Sequence, residues 1–158
     1  MKKSPPLKIF LFFALLAIGC DFASAGYLPF GRRLMCVLNF NWQADSRSMI
    51  LAKTSEDIGF DHEIVIPKGT EILGSTELLQ YGRLYSQEKF TMVFPDGRTY
   101  EVKGCIMEPA PWVNGEERIG PAGLPTVKYK SQNSEPRFCV PKDTPFIFYM
   151  AQGFSSAI

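Results

Sequence analysis

Hydrophobic and polar residues alternate with a period of two along much of this chain. From 34 to 40, Leu34, Cys36, Leu38 and Phe40 fall on one side and Met35, Val37 and Asn39 on the other. That spacing is the signature of a half-buried β-strand, whose successive side chains point to opposite faces. Further strands are predicted over 49–54, 62–66, 71–76, 79–85, 90–94 and 98–103. Two stretches echo each other, Ile64-Val65-Ile66-Pro67-Lys68-Gly69-Thr70-Glu71-Ile72 and Phe138-Cys139-Val140-Pro141-Lys142-Asp143-Thr144-Pro145-Phe146-Ile147. Each reads as an apolar β segment, a tight turn and a second β segment, because proline presets φ and Gly or Asp tolerates the conformation that follows. Pro95-Asp96-Gly97 is a further hairpin signal between two alternating runs.

Short strands separated by turn residues, without a long apolar pattern of helical period, define the expected fold class. It is all-β: a small single-domain β-barrel or sandwich of short strands with a long Gly/Pro-rich loop. That loop is expected over 104–136, where Gly104, Pro109, Pro111, Gly115, Gly120, Pro121, Gly123, Pro125 and Pro136 interrupt regular structure, leaving one short strand at 126–130. The chain is then expected to return to the core over 138–150 and to fray over 151–158.

The first residues change the picture of where this domain works. Lys2, Lys3 and Lys8 precede the apolar run IFLFFALLAIG, which has the charge order and length of a secretory signal rather than of a membrane span. Ala23-Ser24-Ala25 suits ordinary cleavage, giving a leader at 1–25 and a single domain at 26–158. Ala17-Ile18-Gly19-Cys20 loosely follows a lipoprotein box, with a signal at 1–19 and lipidation of Cys20 as the alternative. Either way the expectation is export to the periplasm or the outer-membrane-associated cell envelope. Loss of Lys2, Lys3, Lys8 and Asp21 with the longer leader takes the net charge from +1 to −1. A chain so balanced lacks the basic face that a phosphate backbone needs, so direct nucleic-acid binding is not expected.

Candidate chemistry is sparse. An oxidising compartment allows one bridge among Cys36, Cys105 and Cys139. Cys105 with Cys139 is the expected pair, closing the loosest part of the chain onto its last strand, and Cys36 is the alternative partner; buried small hydrophobes are the competing reading. His62 is the single histidine. It could join the thiols at a zinc site or activate one as a nucleophile, but the Cys-x-x-Cys pairing and the activating motifs that such sites use are missing. Glu56, Asp57, Asp61 and Glu63 cluster at a turn, as solvated carboxylates do, and fit neither a calcium loop nor a glycosidase pair. The expectation is a protein that is not an enzyme and carries no cofactor and no metal.

The central hairpins carry a family resemblance. IVIPKGTEILGSTE, from Ile64 to Glu77, and FTMVFPDGRTYEVKG, from Phe90 to Gly104, resemble the TrbI family of conjugation proteins, the tenth component of VirB-type secretion systems. Pro67, Gly69, Thr70, Gly74, Pro95, Asp96 and Gly97 match that pattern in order and approximate spacing, and are expected as its structural turn residues. LPFGRRLMCVLNF is similar to the first strand of the family's C-terminal barrel, and RFCVPKDTPFIFYM, with Pro141 and Thr144, to its last. The resemblance implies a β-barrel domain in an envelope core complex, a scaffold assembled with homologous or different subunits around a transport channel. Membrane association would come only through that complex or a lipid anchor. In many members two apolar helices line the outer-membrane pore, whereas the stretch 104–136 here has no apolar run long enough to span a bilayer. A SAF-like periplasmic β module that binds a protein or glycan is the alternative, since Pro-x-Gly-Thr turns occur there too.

Overall fold

The computed structural model describes residues 26–44, 48–110, 114, 119–129 and 137–156. The leader, its cleavage sites and Cys20 lie outside the described residues, as do most of 111–118 and the segment 130–136. The strands in chain order begin with β1 (Tyr27–Leu28), β2 (Arg33–Leu38), β3 (Trp42–Gln43), β4 (Met49–Thr54), β5 (Ile58–Phe60) and β6 (Glu63–Ile66). Then come β7 (Glu71–Gln80), β8 (Arg83–Ser86), β9 (Lys89–Val93), β10 (Thr99–Pro109) and β11 (Ile119–Ala122). The last are β12 (Leu124–Pro125), β13 (Val127–Tyr129), β14 (Arg137–Val140), β15 (Pro145–Met150) and β16 (Phe154–Ser155).

Six of them close into an antiparallel barrel in the order β15-β2-β4-β7-β9-β10, with β10 pairing back onto β15. Of the expected all-β barrel or sandwich, the barrel is the observed fold. Alternation fills its interior: Leu34, Cys36, Leu38, Ile50, Ala52, Ile72, Met92, Val102, Ile106, Phe146, Phe148 and Met150 are all buried. Each such Leu, Ile, Phe or Met removed from water contributes about 1.5–3 kcal/mol. Phe40 breaks the expected pattern. β2 ends at Leu38, and Phe40 stands exposed in the following bend.

The echo seen in the sequence is a structural equivalence. In the first turn Gly69 has φ 82°, and the Thr70 hydroxyl donates to the Pro67 carbonyl at 2.7 Å. In the second Asp143 has φ 64°, and the Thr144 hydroxyl donates to the Pro141 carbonyl, also at 2.7 Å. Each turn is stitched to the end of a neighbouring strand. Gly69 N–H donates to Thr54 O and Thr54 N–H to Thr70 O, as Asp143 N–H donates to Leu38 O and Leu38 N–H to Thr144 O. Even the side-chain caps correspond, since Asp57 accepts from Lys68 N–H at 2.6 Å and Asn41 from Lys142 N–H at 2.8 Å. The flanking ladders agree: Lys53↔Glu71 and Ala52↔Ile72 in β4/β7 correspond to Val37↔Pro145 and Cys36↔Phe146 in β2/β15. One half of the barrel wall thus repeats the other about a local two-fold axis between β2 and β4.

Two glycines let aromatic rings into the barrel. A Cβ on Gly74 would collide with the Phe90 ring, and one on Gly104 with Phe148 and the Tyr149 carbonyl. The two rings meet edge to face with centroids 4.8 Å apart. Gly74 was expected among the turn residues, but it lies in the middle of β7, opposite Ile50, where the missing side chain makes space for Phe90. The β9–β10 hairpin behaves as expected: Gly97 has φ 88°, Phe94 N–H donates to Arg98 O at 2.8 Å, and the Asp96 carboxylate accepts from Arg98 N–H at 3.0 Å. This is a three-residue loop with a left-handed last residue.

Three expectations are corrected here. Residues 104–109, assigned to an irregular loop, continue β10 and pair with β15 and β11, because Ile106 supplies a core side chain and Pro109 sits at the strand's far end. Residues 119–125 add β11 and β12 to the same sheet. The terminal stretch is also partly tied down: Leu28 pairs with Phe154, and Phe154 packs under Tyr100 at 5.1 Å, capping one end of the barrel.

Gly74→Ala should cost about 1–3 kcal/mol through the collision with Phe90, while Gly74→Ala combined with Phe90→Leu should lose less than the two single changes summed. Urea unfolding of the four proteins measures this directly.

Candidate functional site

The strand β7 is longer than the barrel requires. It pairs with β4 as far as Met49↔Ser75 and with β9 as far as Leu73↔Thr91. A bulge between Thr76 and Leu78 then redirects it, and residues 78–80 pair with β8 alone among the described strands. At the bulge, the buried Trp42 indole donates to the Thr76 hydroxyl at 2.5 Å, fixing the point of departure. The result is a hairpin arm that leaves the barrel wall.

The arm turns through Tyr81 and Gly82, with φ 51° and 73°. Two consecutive left-handed residues make a type I′ turn, for which Asn-Gly is the favoured pair and a bulky aromatic is strained at the first position. Tyr81 is 92% exposed, and Leu78 and Leu79 are 41% and 38% exposed beside it. Neither burial nor turn preference accounts for these side chains, so the arm's tip carries apolar surface that the barrel does not need, as exposed Phe30, Phe40 and Ile64 do elsewhere.

Bracing makes this arm a preformed element. Leu84 on β8 pairs with Leu124 on β12, and both are fully buried. Thr126 donates to Gly82 O through its amide at 2.9 Å and its hydroxyl at 2.8 Å. Arg83 donates to Gly123 O at 2.7 Å, to Ala122 O at 3.2 Å and to the Glu108 carboxylate at 2.8 Å. That side chain, only about a fifth exposed, fastens the 119–125 segment against the arm.

The other expected chemistry does not converge. His62 sits exposed on the β5–β6 turn with φ 69°. Cys36, Cys105 and Cys139 are all free thiols, so the expected Cys105–Cys139 bridge is not formed. Cys105 faces Tyr149 in the β10–β15 ladder, whereas Cys139 pairs with Val127 and Gln43 in a separate three-stranded sheet, and neither ladder register brings the two together. Burial in the barrel pushes the Cys36 thiol up to about 12, partly offset by a hydrogen bond involving the Phe148 backbone. Cys105 is raised by burial and then by the nearby Glu88 carboxylate, and Cys139 by burial. All three shifts run against thiolate formation, the opposite of what a nucleophilic cysteine needs. Among the described residues no three His, Cys, Asp or Glu side chains gather to hold a metal ion, and no helix is long and apolar enough to cross a membrane.

The turn residues Pro67, Gly69, Thr70, Pro95, Asp96, Gly97, Pro141 and Thr144 are all found in turns, where they shape the barrel. Sequence reasoning missed the arm. Residues 79–85 alternate well enough to read as one strand, and the signal against it was Gly82 following an aromatic, a turn disguised by Tyr81. No protein-family model matches the chain, and no curated protein matches it in sequence.

Two outcomes follow. Tyr81→Asn should raise stability by about 0.5–1 kcal/mol in thermal unfolding, because Asn adopts the left-handed turn more readily. For Cys36, the folded thiol titrates near 12 against an ordinary value of 9.0. Its contribution to stability is therefore full below pH 9 and lost as the pH rises toward 12, and Cys36→Ser should flatten that alkaline fall in urea midpoints.

Proposed function

We propose that this chain is an exported structural subunit of a conjugation-type secretion channel core complex, working in the cell envelope by assembly with neighbouring subunits. The observation that carries the reading is the braced β7–β8 arm, which presents Leu78, Leu79 and a strained, exposed Tyr81 to a partner. Rigid aromatic and aliphatic side chains on a preformed element bind with little loss of conformational entropy, which suits a scaffold contact. Further support comes from the Ile-Pro-Lys-Gly-Thr and Pro-Asp-Gly turns, whose resemblance to TrbI-type proteins gave the expectation, and from the leader-like sequence at 1–25. In this reading the partners are other envelope secretion proteins or further copies of the chain. Nucleic acid is not touched directly, and the membrane is reached through the complex or through a lipid on Cys20.

Mild detergent extraction of envelopes from cells carrying the assembled apparatus, followed by native mass spectrometry, tests the proposal. The tagged chain is expected in a large multi-subunit complex, and Tyr81→Asp is expected to release it while leaving the barrel folded. Recovery of the unaltered protein as a free monomer in the osmotic-shock fraction would overturn it. A stable one-to-one complex with a soluble partner, without a larger assembly, would support the SAF-like binding module instead.

A further inference from the structure

A cavity of about 330 Å³ opens on the barrel's outer wall where the ladder between β7 and β9 is interrupted. The ladder between these strands stops at Leu73↔Thr91, and the same edge of β7 is taken up again by Gln87 N–H donating to Ser75 O at 2.9 Å and by Thr76↔Ser86, so residues 88–90 bulge opposite Gly74. The floor of the resulting wedge is the Phe90 ring under side-chain-free Gly74, together with Val102. Met49 and Leu73 form an apolar wall, with Met49 64% exposed. Across from them stand Lys89 and Lys103, direct neighbours in the β9–β10 register.

Like charges directly opposite on adjacent strands destabilise a sheet. Among the described residues neither ammonium has an ion-pair partner within 4.0 Å, whereas Lys53, Arg83 and Arg98 each have one. Glu101 enters the same cavity in the next row, opposite Thr91. Two ammoniums and one carboxylate leave the wedge one positive charge in excess, which matches a monoanion better than a polyanion. Ser75, Thr91 and Gln152 line it as well, Thr91 on the same strand as Lys89 and Ser75 opposite Met49.

We propose that this wedge binds a carboxylate carried on a short apolar stem, with the carboxylate between Lys89 and Lys103 and the stem against Met49, Leu73 and the Phe90 ring. The ligand offsets the repulsion between the directly paired Lys89 and Lys103. A small organic acid and an acidic side chain flanked by apolar residues in an extended peptide share this chemistry. The site uses none of the arm's side chains and stands apart from the assembly reading.

The test is a titration of the isotope-labelled full chain, following the Met49 methyl and the Phe90 and Lys103 amide signals by NMR. Hexanoate is expected to shift them saturably, with acetate about tenfold weaker or more, since two or more buried methylenes account for such a factor. The double change Lys89→Gln with Lys103→Gln is expected to abolish the shifts and to raise the melting temperature of the ligand-free protein. Tyr81→Asn is expected to leave binding unchanged, so failure here and failure of the assembly reading are separable. Acetyl-Leu-Glu-Leu-amide distinguishes the sources: shifts with this peptide alone assign a peptide ligand, and with hexanoate alone a small acid. Absence of saturable shifts with both would overturn the proposal. Equal affinity for acetate, or inorganic sulfate binding as tightly as hexanoate, would overturn it too, the first removing the apolar stem and the second the preference for a monoanion.

Discussion

The hydrogen bonds that sew each Pro-Lys-x-Thr turn onto the end of a neighbouring strand are the constraint on which this barrel depends. A sheet closes only if its strands keep one register around the whole circle, and a slip of one residue would turn every core side chain outward. Gly69 and Asp143 fix that register on opposite sides of the local two-fold axis by donating to Thr54 O and Leu38 O. Their left-handed backbone aims the amides, and the threonine hydroxyls at Thr70 and Thr144 hold each turn closed. With these points set, Cys36, Leu38, Ala52, Ile72, Phe146 and their neighbours have one way to face inward.

The same closure explains the features available for function. The barrel needs β7 only as far as Thr76, so the residues beyond it are free to leave as an arm once the Trp42 indole has anchored the bulge. The wedge lies on the same edge of β7, where β8 runs on into β9 and the residues between them bulge before the ladder resumes at Leu73↔Thr91. Apolar contact dominates at the arm and uncompensated positive charge at the wedge, so they suit different partners.

Much of the fold was legible in the alternation itself. The period-two runs, the paired Pro-Lys turns and the Pro95-Asp96-Gly97 hairpin all encode local geometry, and local geometry is what spacing reports. What lay hidden depends on distant residues. Gly104 and Pro109 look like loop punctuation until Phe148 and β15 are placed beside them, and Gly74 looks like a turn until the Phe90 ring arrives. A glycine required by another segment's aromatic ring is indistinguishable, in sequence, from one required by a bend. The Cys105–Cys139 expectation failed for a related reason, since pairing depends on which ladders the two strands join, and those ladders belong to different sheets. The arm was concealed by its own chemistry, a tyrosine where a turn calls for asparagine, and that mismatch is what draws attention to it once the backbone is known.

Native-state hydrogen exchange at the Gly69 and Asp143 amides tests the central claim most directly. If the two turns fix the barrel's register, both amides should exchange only through global unfolding, with the same free energy as the slowest core amides of β4 and β15. Exchange of either amide by local opening, at a much lower free energy than the core, would show that the barrel holds its register without that turn and would contradict the account.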